Sequence, residues 1–170
     1  MNHLKLLNPE NVSEEEAGKY PVREAARAVV VDKDGLVALL HVSTQNYYKL
    51  PGGGIDEGED KIAALRRECQ EEIGCDVEVL GEIGIITEYR KFETLKQISY
   101  CYFAKVKGEK NEPSLTEEEI KDGCEHIWLS YEKVMHIMAD SKANTLEGSA
   151  YIIPRDTIFL EAVKDLILQL

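Results

Sequence analysis

The stretch GGIDEGEDKIAALRRECQEEIGC, residues Gly53–Cys75, decides the fold of this chain and carries most of its functional information. Its second half contains no proline or glycine until Gly74, and its apolar residues recur in steps of three and four. Those steps place them on one face of a helix. The apolar positions are Ile62, Leu65, Cys69 and Ile73. The spacing therefore predicts an amphipathic helix over residues 59–73 with one buried face.

Three glutamates of this helix lie close together beside the apolar stripe. Glu68 and Glu72 are one turn apart, and Glu71 flanks them. Like charges at this spacing repel each other and weaken an isolated helix, whereas a bound cation turns the repulsion into attraction. Because carboxylate oxygens are hard ligands that suit Mg²⁺ or Mn²⁺, the pattern predicts a divalent-cation site.

A glycine-rich loop precedes the helix. Residues 50–54 read LPGGG, and glycine without a Cβ lets the backbone turn tightly and approach a ligand closely. Gly58 and Glu59 then open the helix, where acidic residues are favoured in the first turn. The loop and the helix together are suited to hold a cation against a phosphate.

The combination resembles the signature of the Nudix hydrolases, G-x5-E-x7-R-E-U-x-E-E-x-G-U, where U is bulky and apolar. All seven fixed positions match, and both U positions carry cysteine, which behaves as a small hydrophobe. The matching residues are Gly53, Glu59, Arg67, Glu68, Cys69, Glu71, Glu72, Gly74 and Cys75.

The resemblance implies an α/β fold, namely a Nudix-type α/β/α sandwich with a mixed sheet between helices. We expect residues 1–170 to form a single Nudix hydrolase domain, with a core of about residues 22–140, an N-terminal extension and a C-terminal helix. The activity implied is that of a Nudix pyrophosphohydrolase, which hydrolyses a nucleoside diphosphate linked to another moiety with the help of a metal.

The resemblance also implies roles for individual residues. Glu68 and Glu72 are expected to bind the metal, assisted by Glu71 and the carbonyl of Gly52. Arg67 is expected to orient the glutamates. Either Glu68 or a glutamate outside the signature acts as the general base. The supporting residues are Gly53, Glu59 and Gly74.

Candidate contacts to the substrate lie outside the signature. Arg23 and Arg27 share one face of a predicted strand, where they either hold phosphate oxygens or form surface ion pairs. Tyr48 precedes the glycine loop and either stacks on a base or packs in the core. Glu125 is a further candidate metal ligand or base, since Nudix proteins often carry such a residue there. Glu117, Glu118 and Glu119 are rival candidates for the same role, although most of the run at 117–119 is expected to be solvated.

The favoured substrate, reached by elimination, is a nucleoside triphosphate. The stretch EYRKFE, residues 88–93, lacks the proline typical of ADP-ribose hydrolases. Tyr89 comes close to the tyrosine typical of diadenosine polyphosphate hydrolases but does not match its position. A (d)NTP pyrophosphohydrolase is therefore favoured over an ADP-ribose or nucleotide-sugar pyrophosphatase. An alternative of another class is a non-catalytic, nucleotide-sensing Nudix module, against which the intact glutamates argue.

Composition agrees with an enzyme that acts on small molecules. The net charge of −12 over 170 residues disfavours a nucleic acid polymer as partner but permits a small nucleotide neutralised by metal. No apolar run approaches the roughly 20 residues of a membrane span, so we expect no membrane partner. Without a secretory signal or a C-x-x-C pair, the four cysteines are expected to be reduced thiols in a cytoplasmic protein. The C-terminal helix offers a surface for a homodimer.

Hydrophobic periodicity predicts the remaining elements. Strands are expected at residues 23–31, 36–42, 76–90, 97–107 and 126–129, and the first two are joined by a turn at 32–35. Helices are expected at residues 131–139 and 157–170, with an acidic loop at 112–122. The last helix is expected to present one apolar face made of Ile158, Ala162, Leu166 and Leu170.

Overall fold

A mixed sheet of eight strands forms the centre of the computed structural model, which describes residues 1–169. Its strands are β1 (His3–Leu7), β2 (Val22–Val31), β3 (Val37–Val42), β4 (Tyr47–Lys49), β5 (Gly52–Gly54), β6 (Asp76–Arg90), β7 (Leu95–Lys107) and β8 (Cys124–Leu129). The hydrogen-bonded order is β1-β6-β7-β2-β3-β4, with β5 paired to β2 and β8 paired to β3. The β1–β6 and β2–β7 pairs are parallel, and the others are antiparallel.

Helices cover both faces of this sheet. They are α1 (Glu14–Ala17), α2 (Lys61–Ile73), α3 (Glu117–Lys121), α4 (Tyr131–Asp140), α5 (Ile153–Ala162) and α6 (Lys164–Ile167). Successive side chains of β2 point to opposite faces of the sheet, so the core has two parts. Val29 and Val31 pack with α4 and α5 on one face, whereas Ala28 and Val30 pack with α2 on the other. The predicted α/β/α sandwich with a mixed sheet is therefore confirmed.

The ends of α2 are set by two residues with distinct local roles. The side chain of Asp60 accepts hydrogen bonds from the backbone N–H groups of Ile62 and Ala63, at 2.9 and 3.2 Å, and so caps the helix. Gly74 ends it in the left-handed conformation, with φ of 64°. The helix thus begins at Lys61 rather than at the predicted Glu59, because Asp60 is the better capping residue.

The five predicted strands are all present, with ends shifted by at most two residues. The acidic region expected to be a loop contains α3, because Thr116 and Glu119 form a reciprocal capping box that stabilises one helical turn. The N-terminal extension contributes β1, which continues the sheet beside β6. No helix within residues 1–169 is long and apolar enough to cross a membrane.

The C-terminal helix differs from its prediction. A π-helical turn at Gly148–Ile152 leads directly into α5, and the chain changes direction at Val163 before α6. The buried apolar residues of α5 and α6 and their junction are Phe159, Leu160, Val163 and Ile167, which is a different face from the predicted one. Leu166, expected on the apolar face, is 51% exposed. Leu170 lies outside the described residues.

Candidate active site

An open cleft of about 370 Å³ brings the glycine loop, the glutamates of α2 and the arginines of β2 together. Further side chains come from β4, from α3 and from the segment before α5. The charged and glycine residues that line the cleft are Arg23, Arg27, Lys49, Gly52, Gly53, Gly54, Arg67, Glu68, Glu71, Glu72, Glu118, Glu119, Asp122 and Glu147.

Gly52 and Gly53 of the glycine loop lie in close contact with their neighbours. A Cβ on Gly52 would lie 2.2 Å from the carbonyl oxygen of Ala26, and the φ of 130° is itself a glycine conformation. A Cβ on Gly53 would lie 2.4 Å from Oε2 of Glu68. The loop therefore fills the space between β2 and the glutamates of α2.

Glu72 is the most deeply buried carboxylate of the cleft, with 1% exposure. Its Oε2 accepts a hydrogen bond of 2.6 Å from the backbone N–H of Gly52, and its Oε1 accepts one of 2.9 Å from Nζ of Lys49. Burial raises the pKa of Glu72, while Lys49 and the Gly52 N–H oppose the rise. Burial also disfavours the charged form of Lys49, yet Glu72 keeps the Lys49 pKa above its ordinary value.

Arg67 links the remaining acidic groups of α2 to the loop. Its guanidinium donates to both carboxylate oxygens of Glu59, at 3.0 and 2.8 Å, to Glu68 at 2.7 Å and to the Gly54 carbonyl at 3.0 Å. These bonds lower the pKa of Glu59 to about 2. Burial raises the pKa of Glu68 although Arg67 opposes it. Glu71 lies 3.8 Å from Arg67, at the edge of the same group.

The donor set fits a hard divalent cation by its chemistry. Glu68, Glu71 and Glu72 line one cleft together with Gly52, whose carbonyl oxygen accepts a hydrogen bond from Arg27, and Lys49 places positive charge against Glu72. No three acidic, histidine or cysteine side chains among residues 1–169 are grouped closely enough to hold one ion. Because Lys49 pairs with Oε1 of Glu72, a cation bound at that oxygen would compete with the Lys49 ammonium.

Two arginines of β2 provide positive charge in the same cleft. Nη1 of Arg27 donates to the Gly52 carbonyl at 2.9 Å, and Nη1 of Arg23 donates to Oε1 of Gln97 at 3.0 Å. Arg27 is 6% exposed, and its Nε has no hydrogen-bond partner in the described structure. Burial lowers the pKa of Arg27 to about 10. Because Nε is itself shielded, an anion in the cleft would bind Arg27 through the other nitrogens of its guanidinium.

Two predicted site residues lie elsewhere. Tyr48 stacks on His41 with ring centroids 4.4 Å apart and does not line the cleft, whereas its neighbours Tyr47 and Lys49 do. Glu125 is exposed on β8, while Cys124 before it faces the cleft. Both corrections have one cause, since successive residues of a strand point to opposite faces.

Sequence reasoning missed some cleft residues and ranked others too low. Lys49 stands directly before the LPGGG loop, but placing Tyr48 toward the substrate puts Lys49 on the opposite face of the strand, so the prediction for Tyr48 excluded Lys49. Glu118 and Glu119 were candidates ranked below Glu125, and both line the cleft, although Glu118 is also exposed. Glu147 has no local sequence signal, because only the fold brings the segment before α5 to the cleft.

Comparison with known sequences identifies one family. A family model described as NUDIX domain matches residues 21–149. A relative from Pelagibacter ubique named RNA pyrophosphohydrolase is 26% identical over 135 residues, which cover 72% of this chain and 85% of the relative. A protein of the same name from a Sulfurovum species is 59% identical over 39 residues, covering 22% of this chain and 25% of the relative.

Solved structures share the fold at lower identity. A NUDIX hydrolase from Nitrosomonas europaea superposes with a TM-score of 0.62 at 16% identity, covering 88% of this chain and 90% of that one. The MutT protein from Methanosarcina mazei gives a TM-score of 0.58 at 19% identity, covering 87% and 97%. The match over residues 21–149, the α/β/α fold and the complete glutamate signature agree, and the chain belongs to the NUDIX domain family of hydrolases.

Proposed function

We propose that the chain is a metal-dependent pyrophosphohydrolase whose substrate is a nucleoside triphosphate, cleaved by water into a nucleoside monophosphate and pyrophosphate. The observation that carries this proposal is the cleft itself, which combines three glutamates of α2 with two arginines of β2 around a glycine loop. Carboxylates suit a divalent cation, and guanidinium groups suit phosphate oxygens.

Nudix enzymes generally use divalent metal ions, and we assign Mg²⁺ or Mn²⁺ to this cleft. Glu68 and Glu72 would hold the ion, with Glu71 and the Gly52 carbonyl as further ligands. When bound, the metal polarises a phosphoryl group and lowers the pKa of a water molecule. The rise in the pKa values of Glu68 and Glu72 that burial causes favours binding, because a cation removes the cost of burying their negative charges.

The protein's own side chains orient the reacting groups. Arg67 fixes Glu68 through a hydrogen bond of 2.7 Å and is itself fixed by Glu59. Arg27 and Arg23 would bind phosphate oxygens in the cleft. Two residues are candidates for the general base: Glu68, which lies beside the metal ligands, and Glu118, which lines the cleft from α3.

The names of the relatives favour a second candidate, the triphosphate at the 5′ end of an RNA. The same cleft would bind the terminal phosphates, and removal of pyrophosphate is the same chemistry. The net charge of −12 argues against binding along many phosphates of an RNA chain, because such binding needs an extended basic surface. It does not argue against recognition of the 5′ end alone. An ADP-ribose or nucleotide-sugar pyrophosphatase stays the further alternative.

Turnover of a substrate panel, measured as formation of the nucleoside monophosphate or of pyrophosphate, distinguishes these functions, because triphosphates release pyrophosphate whereas ADP-ribose and a nucleotide sugar give a nucleoside monophosphate and a sugar phosphate. The panel contains the NTPs and dNTPs, ADP-ribose, a nucleotide sugar and a 5′-triphosphorylated RNA oligomer, each with Mg²⁺, with Mn²⁺ and with a chelator. We expect chelator-sensitive turnover with the highest kcat/KM for a nucleoside triphosphate. A higher kcat/KM for the RNA would select the second candidate. Tight binding of one member without turnover of any would indicate a nucleotide sensor and contradict the proposal.

A further inference from the structure

A row of buried ionised side chains lies beneath the cleft. Four of them are at most 2% exposed: Glu88, Arg90, Arg155 and Asp156. Charges removed from water are costly unless each has a partner, and here each carboxylate contacts a guanidinium. Such an arrangement fixes the positions of the groups that it contacts.

One end of this row holds the glycine loop. Oδ2 of Asp156 accepts a hydrogen bond of 2.9 Å from the backbone N–H of Leu50. Arg155 fixes the same carboxylate, with Nε 2.7 Å from Oδ1 and Nη2 3.1 Å from Oδ2. Both residues belong to α5, which lies beyond the residues matched by the family model.

At its other end the row of buried charges contacts Glu147, which lines the cleft. Nη1 of Arg155 lies 3.3 Å from Oε1 of Glu88, and Nε of Arg90 lies 2.6 Å from Oε2 of Glu88. Nη1 of Arg90 then donates to Oε1 of Glu147 at 2.7 Å, and Glu147 lines the cleft. Glu147 and the glycine loop are thus connected by a continuous series of ion pairs that ends in the hydrogen bond from the Leu50 amide to Asp156.

The glycine loop is held between two carboxylates from different helices. Leu50 donates its N–H to Asp156 of α5, and Gly52 donates its N–H to Glu72 of α2. Pro51 between them has no N–H to donate. Asp156 and Glu72 therefore accept the two successive amide hydrogens of this stretch, and they fix its position against α2 from both ends.

We propose that Asp156 is a positioning residue, which, held by Arg155, places the glycine loop so that the Gly52 carbonyl and Glu72 bind the metal together. This role rests on the proposed function, since it assumes that Gly52 and Glu72 are metal ligands. It makes α5 part of the catalytic apparatus rather than a peripheral addition. Asp156 itself touches neither metal nor substrate.

Two double variants isolate the acceptor that Asp156 provides. Both remove the buried ion pair as a unit and leave Glu88 with Arg90: Arg155→Met/Asp156→Asn keeps a carbonyl oxygen for the Leu50 N–H, and Arg155→Met/Asp156→Leu does not. We expect the first to bind Mn²⁺ within about threefold of wild type and the second to bind it at least about tenfold more weakly, with a lower kcat. Calorimetric titration with Mn²⁺ and steady-state kinetics measure both quantities.

Phe159→Leu is the control for perturbing α5, because Phe159 is buried on the same helix but its side chain cannot accept a hydrogen bond from the Leu50 amide. We expect it to leave Mn²⁺ affinity unchanged. Equal affinity in the two double variants, whether retained or lost, would overturn the positioning role. If a double variant fails to fold, hydrogen exchange of the wild-type protein decides: we expect the Leu50 amide to exchange as slowly as the central strands, and exchange at the rate of an exposed loop would overturn the role.

A failure of the proposed function gives a different result. Wild-type protein that binds no Mn²⁺ and hydrolyses no member of the panel contradicts the proposed function. In that case the rate of hydrogen exchange at the Gly52 amide still measures how firmly the glycine loop is held. We expect it to exchange faster in Arg155→Met/Asp156→Leu than in Arg155→Met/Asp156→Asn, and equal rates would overturn the positioning role by itself.

Discussion

Nζ of Lys49 lies 2.9 Å from Oε1 of Glu72, and the two side chains are 17% and 1% exposed. This pair places a cation of the protein against the carboxylate that we assign to the metal. A divalent ion and Lys49 therefore compete for the same oxygen. The ion pair with Lys49 opposes the rise in the pKa of Glu72 that burial causes.

Lys49→Met should destabilise the metal-free protein and increase its response to metal. Removing one partner of a buried ion pair leaves the other charge uncompensated, at a cost of about 3 kcal/mol. We expect saturating Mn²⁺ to raise the melting temperature of this variant by more than it raises that of wild type. Lys19→Met serves as the control, because Lys19 forms only an exposed pair with Glu15. Equal Mn²⁺-induced shifts in Lys49→Met and wild type would contradict the competition.

Glu59 should stabilise the protein in a pH-dependent way. Hydrogen bonds from Arg67 lower its folded-state pKa from 4.5 to about 2. A lowered pKa means that the stabilisation is complete above the unfolded value and is lost as the pH falls through the folded one. The difference in melting temperature between wild type and Glu59→Gln should therefore be constant above about pH 5 and shrink toward pH 2. A pH-independent difference would show that the Arg67 bonds do not act through the charge of Glu59.

Gly74→Ala should destabilise the fold more than a comparable change elsewhere. Both Gly74 and Gly35 have positive φ, of 64° and 73°, which costs an alanine about 1 kcal/mol. A Cβ on Gly74 would also lie 1.9 Å from the carbonyl oxygen of Asn111, whereas a Cβ on Gly35 meets open space. Gly35→Ala is therefore the matched control. In urea unfolding we expect the free energy of unfolding of Gly74→Ala to be lower than that of Gly35→Ala by about 1–3 kcal/mol. Equal losses in the two variants would mean that the loop at Asn111 moves aside freely.

Substrate affinity should depend on Arg23 but not on Tyr48. Arg23 lines the cleft, and loss of a charge-assisted hydrogen bond to phosphate should raise KM about tenfold in Arg23→Gln. Tyr48 stacks on His41 outside the cleft, so Tyr48→Leu should leave KM within about twofold of wild type. Steady-state kinetics on the best member of the substrate panel measure both values. A large rise in KM for Tyr48→Leu would restore its predicted role in base stacking.

The signature helix was predictable because its signals are local. Apolar spacing, the terminal Gly74 and the glycine loop each depend on residues within a few positions of one another. The orientation of Tyr48 was not predictable in this way. The strand β4 is only three residues long and follows Asn46 in the left-handed conformation, so the alternation of its faces has no long register to fix it. The single domain over residues 1–170, the cytoplasmic location and the homodimer stay predictions.

The buried ion pairs under the cleft could not be predicted from the sequence. Arg155 and Asp156 resemble an ordinary exposed turn of a helix, since adjacent opposite charges are usually solvated. Only the fold shows that both are fully buried and that Asp156 meets the Leu50 amide, 106 residues earlier in the chain. The π-helical turn that precedes α5 has no local sequence signal either.

Binding of Mn²⁺ to Glu72→Gln tests the central claim most directly. Glutamine keeps the shape of the side chain and an acceptor for the Gly52 N–H but removes the charge. We predict that the variant stays folded, binds Mn²⁺ at least about 100-fold more weakly and loses metal-dependent turnover. Glu57→Gln, an exposed change before the same helix, should match wild type. A folded Glu72→Gln protein with wild-type Mn²⁺ affinity and turnover would contradict the account.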